Sequence, residues 1–196
     1  MIATGPIEAF FKPPTDAPSQ EGDCLLYHLR SDLESLYGTE ASSSSVSPSH
    51  ALLATTGILN GIDYLSQVYS TETKQRKRFT EALRDLLSLP ADDAEALYQL
   101  RCAVVHQVGL SVLSESYRKG TRFTFELTDA PGEPVIHKLS GSGSEVKYSI
   151  GFWELKRSFV ALVGGLRHIC GNPAHSRNPN VINKVGQMHS EKLLKR

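Results

Sequence analysis

The chain is short of several things that would otherwise define it. It has only three cysteines in 196 residues, Cys24, Cys102 and Cys170, odd in number, far apart and in no CxxC arrangement. That spacing argues against both a disulfide framework and a four-cysteine zinc site, and it fits a reducing cytoplasm. No stretch reaches the eighteen uninterrupted apolar residues of a membrane span, and the opening Met-Ile-Ala-Thr-Gly-Pro has no basic leader before an apolar run. The expectation is a soluble protein without a membrane partner. An excess charge of one sign is also missing, since 21 basic residues face 21 acidic ones. A global electrostatic argument for nucleic acid therefore fails, although the parts are lopsided: residues 1–70 sum to −6 and residues 171–196 to +4.

What is present is helical periodicity. The prolines at 6, 13, 14 and 18 make residues 1–22 an extended arm, because each removes a backbone donor and restricts its predecessor. Leu25, Leu26, Leu29, Leu33 and Leu36 then predict an amphipathic helix over 23–37. A serine-rich connection leads to a second helix with an apolar face of Leu52, Leu53, Ile58, Leu59, Ile62, Leu65 and Val68, capped by Ser47 or Ser49. A third helix is predicted over 72–89 and stopped by Pro90, and a fourth starts at Asp92 and Asp93 and runs through Leu97, Leu100, Val104 and Val108.

After Gly120 the period changes to alternation. Residues 122–127, 135–139 and 146–150, separated by Pro-Gly and Gly-Ser-Gly-Ser turns, predict a small β-hairpin or three-stranded meander at about 121–150. Helix returns at Phe152–Ile169. Residues 171–196 contain Pro173, Pro179 and few large apolar groups, and read as a basic C-terminal tail.

The residue that needs explaining is Arg101. On a wheel of about 100° per residue it lies roughly 40° from Leu97, inside the apolar stripe, where an unpaired guanidinium is costly. An ion pair with Asp63 or Glu95 at the edge of the core is the purely structural account. His106 projects roughly 140° from Arg101, so the two would share a site only through a kink or across two subunits.

The run Leu97-Tyr98-Gln99-Leu100-Arg101-Cys102-Ala103-Val104-Val105-His106 resembles the signature segment of HEPN domains, an arginine followed after four to six residues by a histidine. The helix of Leu52 to Tyr69, Arg78-Phe79 with Leu83, and the proline-broken connection precede it in the order of that family. The resemblance covers about residues 23–118 and 152–169, within a HEPN-like domain of 23–170. It implies a mainly α fold, an antiparallel helical bundle carrying the β insertion, that dimerises and often acts as a metal-independent endoribonuclease. Arg101 and His106 would be catalytic: His106 takes the proton of a ribose 2′-hydroxyl, and Arg101 holds the scissile phosphate. No cofactor or metal is implied. Asp63 would orient Arg101.

Cys102 stands where active members carry a polar Asn, Asp or His, which weakens the expectation of catalysis. The alternative is a non-catalytic HEPN-fold dimeric interaction or nucleotide-binding module. Lys74, Arg76, Lys77 and Arg78 are candidates for RNA phosphate, with a solvated helix entry as the plainer account. RNA, a second copy of the chain, and an antitoxin or other protein are the partners such a domain would have, in a toxin, stress or defence role. His168, Cys170 and His175 are metal-capable but lack a second cluster.

Overall fold

A computed structural model describes residues 48–194 other than 108, 116 and 131, with the side chains of 48–50 and 188–194 outside that description. The expected arm over 1–22 and helix over 23–37 lie outside the described residues. Within them, five helices and one four-stranded sheet follow in the order α1 (Pro48–Tyr69), α2 (Gln75–Leu87), α3 (Ala91–His106), β1 (Ser111–Leu113), β2 (Arg122–Thr128), β3 (His137–Ser142), β4 (Glu145–Gly151), α4 (Phe152–Gly171) and α5 (Asn178–Leu194). The mainly α architecture with a small β element is as the periodicity predicts.

α1 is the central helix and touches each of the other four. Its inward residues, Ala54, Ile58, Leu59, Ile62, Leu65 and Val68, recur at the three- and four-residue steps that keep one face of a helix against neighbours. Two details differ from the expectation. Leu53, assigned to the apolar face, is 61% exposed, and Ser49 lies inside a helix that already begins at Pro48, so it is no cap. Phe79 and Leu83 of α2 and Leu97, Leu100 and Val104 of α3 close the core from one side. Phe152, Leu155, Phe159, Leu162 and Leu166 of α4 close it from another. α2 ends before Pro90 is reached, at Ser88 in the left-handed conformation (φ 55°).

The sheet is not a meander. Its order is β1-β2-β4-β3, with β2 and β4 parallel and both edge pairs antiparallel. The connection over 129–136 is too long for a tight hairpin, so β3 turns back on β4 rather than β2. That leaves β4 beside β2 with Phe125 paired to Tyr148. Phe123, Phe125, Val146, Tyr148 and Ile150 point into the core, and Phe123 and Tyr148 stack with centroids 6.2 Å apart. β1 escaped notice because three residues carry no period. The β3–β4 turn depends on Gly141, whose φ of +95° and whose absent Cβ, which would sit 2.2 Å from the Glu145 carbonyl oxygen, admit no larger residue without rearrangement.

The C-terminal segment is a helix rather than a tail. Pro179, one of the two prolines that suggest a tail, stands in the first turn of α5, where a missing N–H costs nothing. Val181 and Val185, one helical turn apart, are both fully buried, and Ile182 packs against the core beside them. Asn178, 6% exposed, donates from Nδ2 to the Ile169 and Cys170 carbonyls at 2.6 and 3.1 Å and so satisfies the open end of α4. Arg177 and Lys184 add anchors: Arg177 pairs with Glu81 at 2.6 Å, and Lys184 donates to the Gln67 carbonyl in the last turn of α1 at 2.8 Å and to that of Ser70 just beyond it. Asn178→Ala is therefore expected to cost about 1–2 kcal/mol in chemical denaturation, because the Cys170 carbonyl loses its donor and the Ile169 carbonyl keeps only the 3.2 Å bond from the Asn172 N–H. An unchanged midpoint would show that α5 docks without this joint.

Candidate functional site

The residues singled out by sequence meet where α1, α2 and α3 pack. Asp63 of α1 and Arg101 of α3 are each 7% exposed. Arg101 Nη2 donates to Asp63 Oδ2 at 3.3 Å, which is the ion pair that an arginine in an apolar stripe requires. Glu95, the other carboxylate considered for it, is instead gripped by Arg76 at 2.8 to 2.9 Å. From α2, Gln75 Nε2 donates to Asp63 Oδ2 at 2.6 Å, and Arg78 Nη2 lies 3.6 Å from Asp63 Oδ1.

Arg101 Nη1 is 2.9 Å from His106 Nε2 in the same chain. This overturns the expectation that a kink or a second subunit is needed, since α3 runs uninterrupted from Ala91 to His106. The wheel places the Cα atoms on different faces, but an arginine side chain is long and helical side chains lean toward the N-terminus. The imidazole at the final residue of α3 thus tilts back over the preceding turn and meets the guanidinium reaching from it. A guanidinium can only donate, so Nε2 accepts and the ring proton is assigned to Nδ1.

The cluster is unevenly satisfied. Two guanidinium groups share one carboxylate, and the buried Nε atoms of Arg78 and Arg101 and Oδ1 of Asp63 have no hydrogen-bond partner among the described residues. The local balance is one positive charge in excess, held in place by surrounding helices.

His106 itself is exposed and borders a cleft of about 300 Å³ lined by Tyr98, Gln99, Cys102, His106, Gln107, Val112, Leu113 and Glu115. Arg101 stands behind this cleft and does not line it. Cys102, half-buried, has its thiol pushed up by burial, and that outweighs the opposing pull of the Tyr98 hydroxyl and of Arg101. Burial thus acts against a thiol activated by its arginine neighbour. Alkylation of Cys102 at pH 8, followed by site-resolved mass spectrometry, should run slower than for free cysteine; a faster reaction would contradict this environment. Tyr98 is pushed up to about 12, first by burial and then by Cys102, so its hydroxyl stays protonated, and its ring packs edge-on against Phe79 at 5.6 Å.

The basic run divides. Arg76 is committed to Glu95 and lies over the Tyr117 ring, Arg78 joins the Asp63 cluster, and Lys74 and Lys77 are exposed. Among the described residues, no three His, Cys, Asp or Glu side chains converge as a metal-ligand set, and His168, Cys170 and His175 make none. No helix of the described residues is long and apolar enough to cross a membrane.

No protein-family model, curated protein or solved structure matches the chain. The site must therefore be argued from its own chemistry. Sequence reasoning found Asp63, Arg101, Cys102 and His106 but missed the cleft. Gln99 was legible, because seven residues separate it from His106 and place the two roughly 20° apart on the wheel. Val112, Leu113 and Glu115 were not, since the return of the chain after α3 brings them there.

Proposed function

We propose that the chain is a HEPN-like, metal-independent endoribonuclease that cleaves RNA through attack of a ribose 2′-hydroxyl on the adjacent phosphate. The observation that supports this reading most is the Arg101 Nη1 to His106 Nε2 contact of 2.9 Å at the edge of a solvent-reachable cleft. It pairs a phosphate-binding group with a base inside one chain, and the uncompensated positive charge of the cluster suits an incoming phosphate.

In the resting arrangement the Nε2 lone pair is occupied by Arg101. A phosphate oxygen competes for Nη1, and capturing it frees Nε2 beside the substrate. His106 Nε2 then takes the proton of the 2′-hydroxyl, the 2′-oxygen forms a bond to phosphorus, and the bond to the 5′-oxygen breaks. The departing 5′-oxygen takes a proton from water. The products are a 2′,3′-cyclic phosphate and a 5′-hydroxyl, and charge developing on the phosphate is met by Arg101, which Asp63 holds in position. Purified protein incubated with RNA in excess EDTA should release fragments with these termini; intact RNA would reject the reading.

A second reading has its own support. Arg101 is buried and tied to Asp63, and Cys102 stands where a polar residue assists catalysis in HEPN domains. On this account the fold is a binding module and Arg101 is a structural ion-pair partner. It predicts nucleotide or protein binding with RNA left whole.

A further inference from the structure

We infer that the cleft beside His106 is a nucleobase subsite selective for guanine. The choice of a nucleotide as ligand rests on the RNA chemistry proposed above, whereas the choice of base comes from the cleft's own lining. Its volume of about 300 Å³ lies at the small end of ligand pockets and suits one planar heterocycle rather than an extended molecule. Tyr98, Val112 and Leu113 supply aromatic and apolar walls, the surfaces on which an unstacked base is held.

The polar lining sets the selectivity. Glu115 is an exposed carboxylate, an acceptor at both oxygens. Among the RNA bases, guanine alone presents two adjacent donors on its Watson–Crick edge, N1–H and the N2 amino group, spaced for a two-point contact with a carboxylate. Adenine and cytosine set a donor next to a ring-nitrogen acceptor, and uracil flanks its single donor with two carbonyls. A carboxylate facing any of these three is opposed by a lone pair.

Gln99 adds a second, independent feature. It is 3% exposed, lines the cleft, and makes no hydrogen bond to any described residue. Its amide atoms are not sealed from solvent, so a ligand in the cleft that carries both acceptors and donors can bond them. Its amide nitrogen, or that of Gln107, suits the O6 acceptor of guanine.

Calorimetric titration of the full chain with GMP, AMP, CMP and UMP tests this directly. GMP should bind at least about tenfold tighter than the other three, and Glu115→Gln should remove that preference, as loss of a two-point base contact does. Glu115 is exposed outside the helices and strands, so the variant keeps the fold, and an unchanged circular dichroism spectrum checks it. Equal binding of AMP, an absence of GMP binding, or a preference that survives Glu115→Gln overturns the subsite. Cleavage of a mixed-sequence RNA by the same preparations keeps the two claims apart. Selective GMP binding with RNA intact rejects the nuclease and leaves the subsite standing; cleavage without bias toward guanosine rejects the subsite and leaves the nuclease.

Discussion

Asp63→Ala is expected to lower the folding stability by about 3–5 kcal/mol, the scale for removing one partner of a buried ion pair. Asp63 is the only described carboxylate in contact with Arg101, it also receives Gln75 at 2.6 Å, and Arg78 stands 3.6 Å from its other oxygen. Without it two guanidinium groups on neighbouring helices face each other inside the core. Three helices are joined through this one side chain, so the loss falls on the packing of α1 against both α2 and α3. For a domain of this size the midpoint of thermal unfolding should fall by roughly 6–20 °C. Asp63→Asn keeps the shape and the hydrogen-bond acceptor while losing the charge, and should fall between the two. A variant as stable as the parent chain would mean that Arg101 is held by packing alone.

The expected effect of His106→Ala is of another kind. His106 is exposed at the end of α3 but accepts from the buried Arg101 Nη1, so its removal should cost about 1 kcal/mol, well below the cost of Asp63→Ala. RNA cleavage, in contrast, should fall by about 10²- to 10⁴-fold, the range that a positioned general base contributes. Fragment release measured under single-turnover conditions at neutral pH gives the ratio. A drop below tenfold would relocate the base, with Glu115 as the next group in the cleft to examine. The contrast between the variants matters more than either alone: Asp63→Ala is costly to the fold, and His106→Ala leaves the fold and removes the chemistry.

How much of this was legible in the sequence follows from what each feature depends on. The helices over 48–69, 75–87, 91–106 and 152–171 announce themselves because each carries a long apolar stripe against the core. α5 did not, because a short apolar stripe of Val181, Ile182 and Val185 behind a first-turn proline looks like a loop until its docking surface is present. The strands were visible as alternation, yet their pairing was not. Register and direction depend on where the chain can turn, and the connection over 129–136 decides that β4 lies beside β2.

The site divides in the same way. Arg101 was conspicuous as a charge in an apolar stripe, and the need for a carboxylate pointed toward Asp63. The contact to His106 was hidden by the helical wheel, which locates Cα atoms and ignores the reach and tilt of side chains. Gln75 was hidden as well, since its role comes only from the crossing of α1 and α2.

The central claim is that Arg101 and His106 act as one catalytic unit. It is tested most directly by a mutant cycle on RNA cleavage in EDTA, comparing the parent chain, Arg101→Lys, His106→Ala and the double variant. Residues that work as a unit lose their effect together, so the double variant should be no slower than the slower single variant by more than a few-fold. Losses that multiply across the cycle, or a parent chain that leaves RNA whole, would contradict the account.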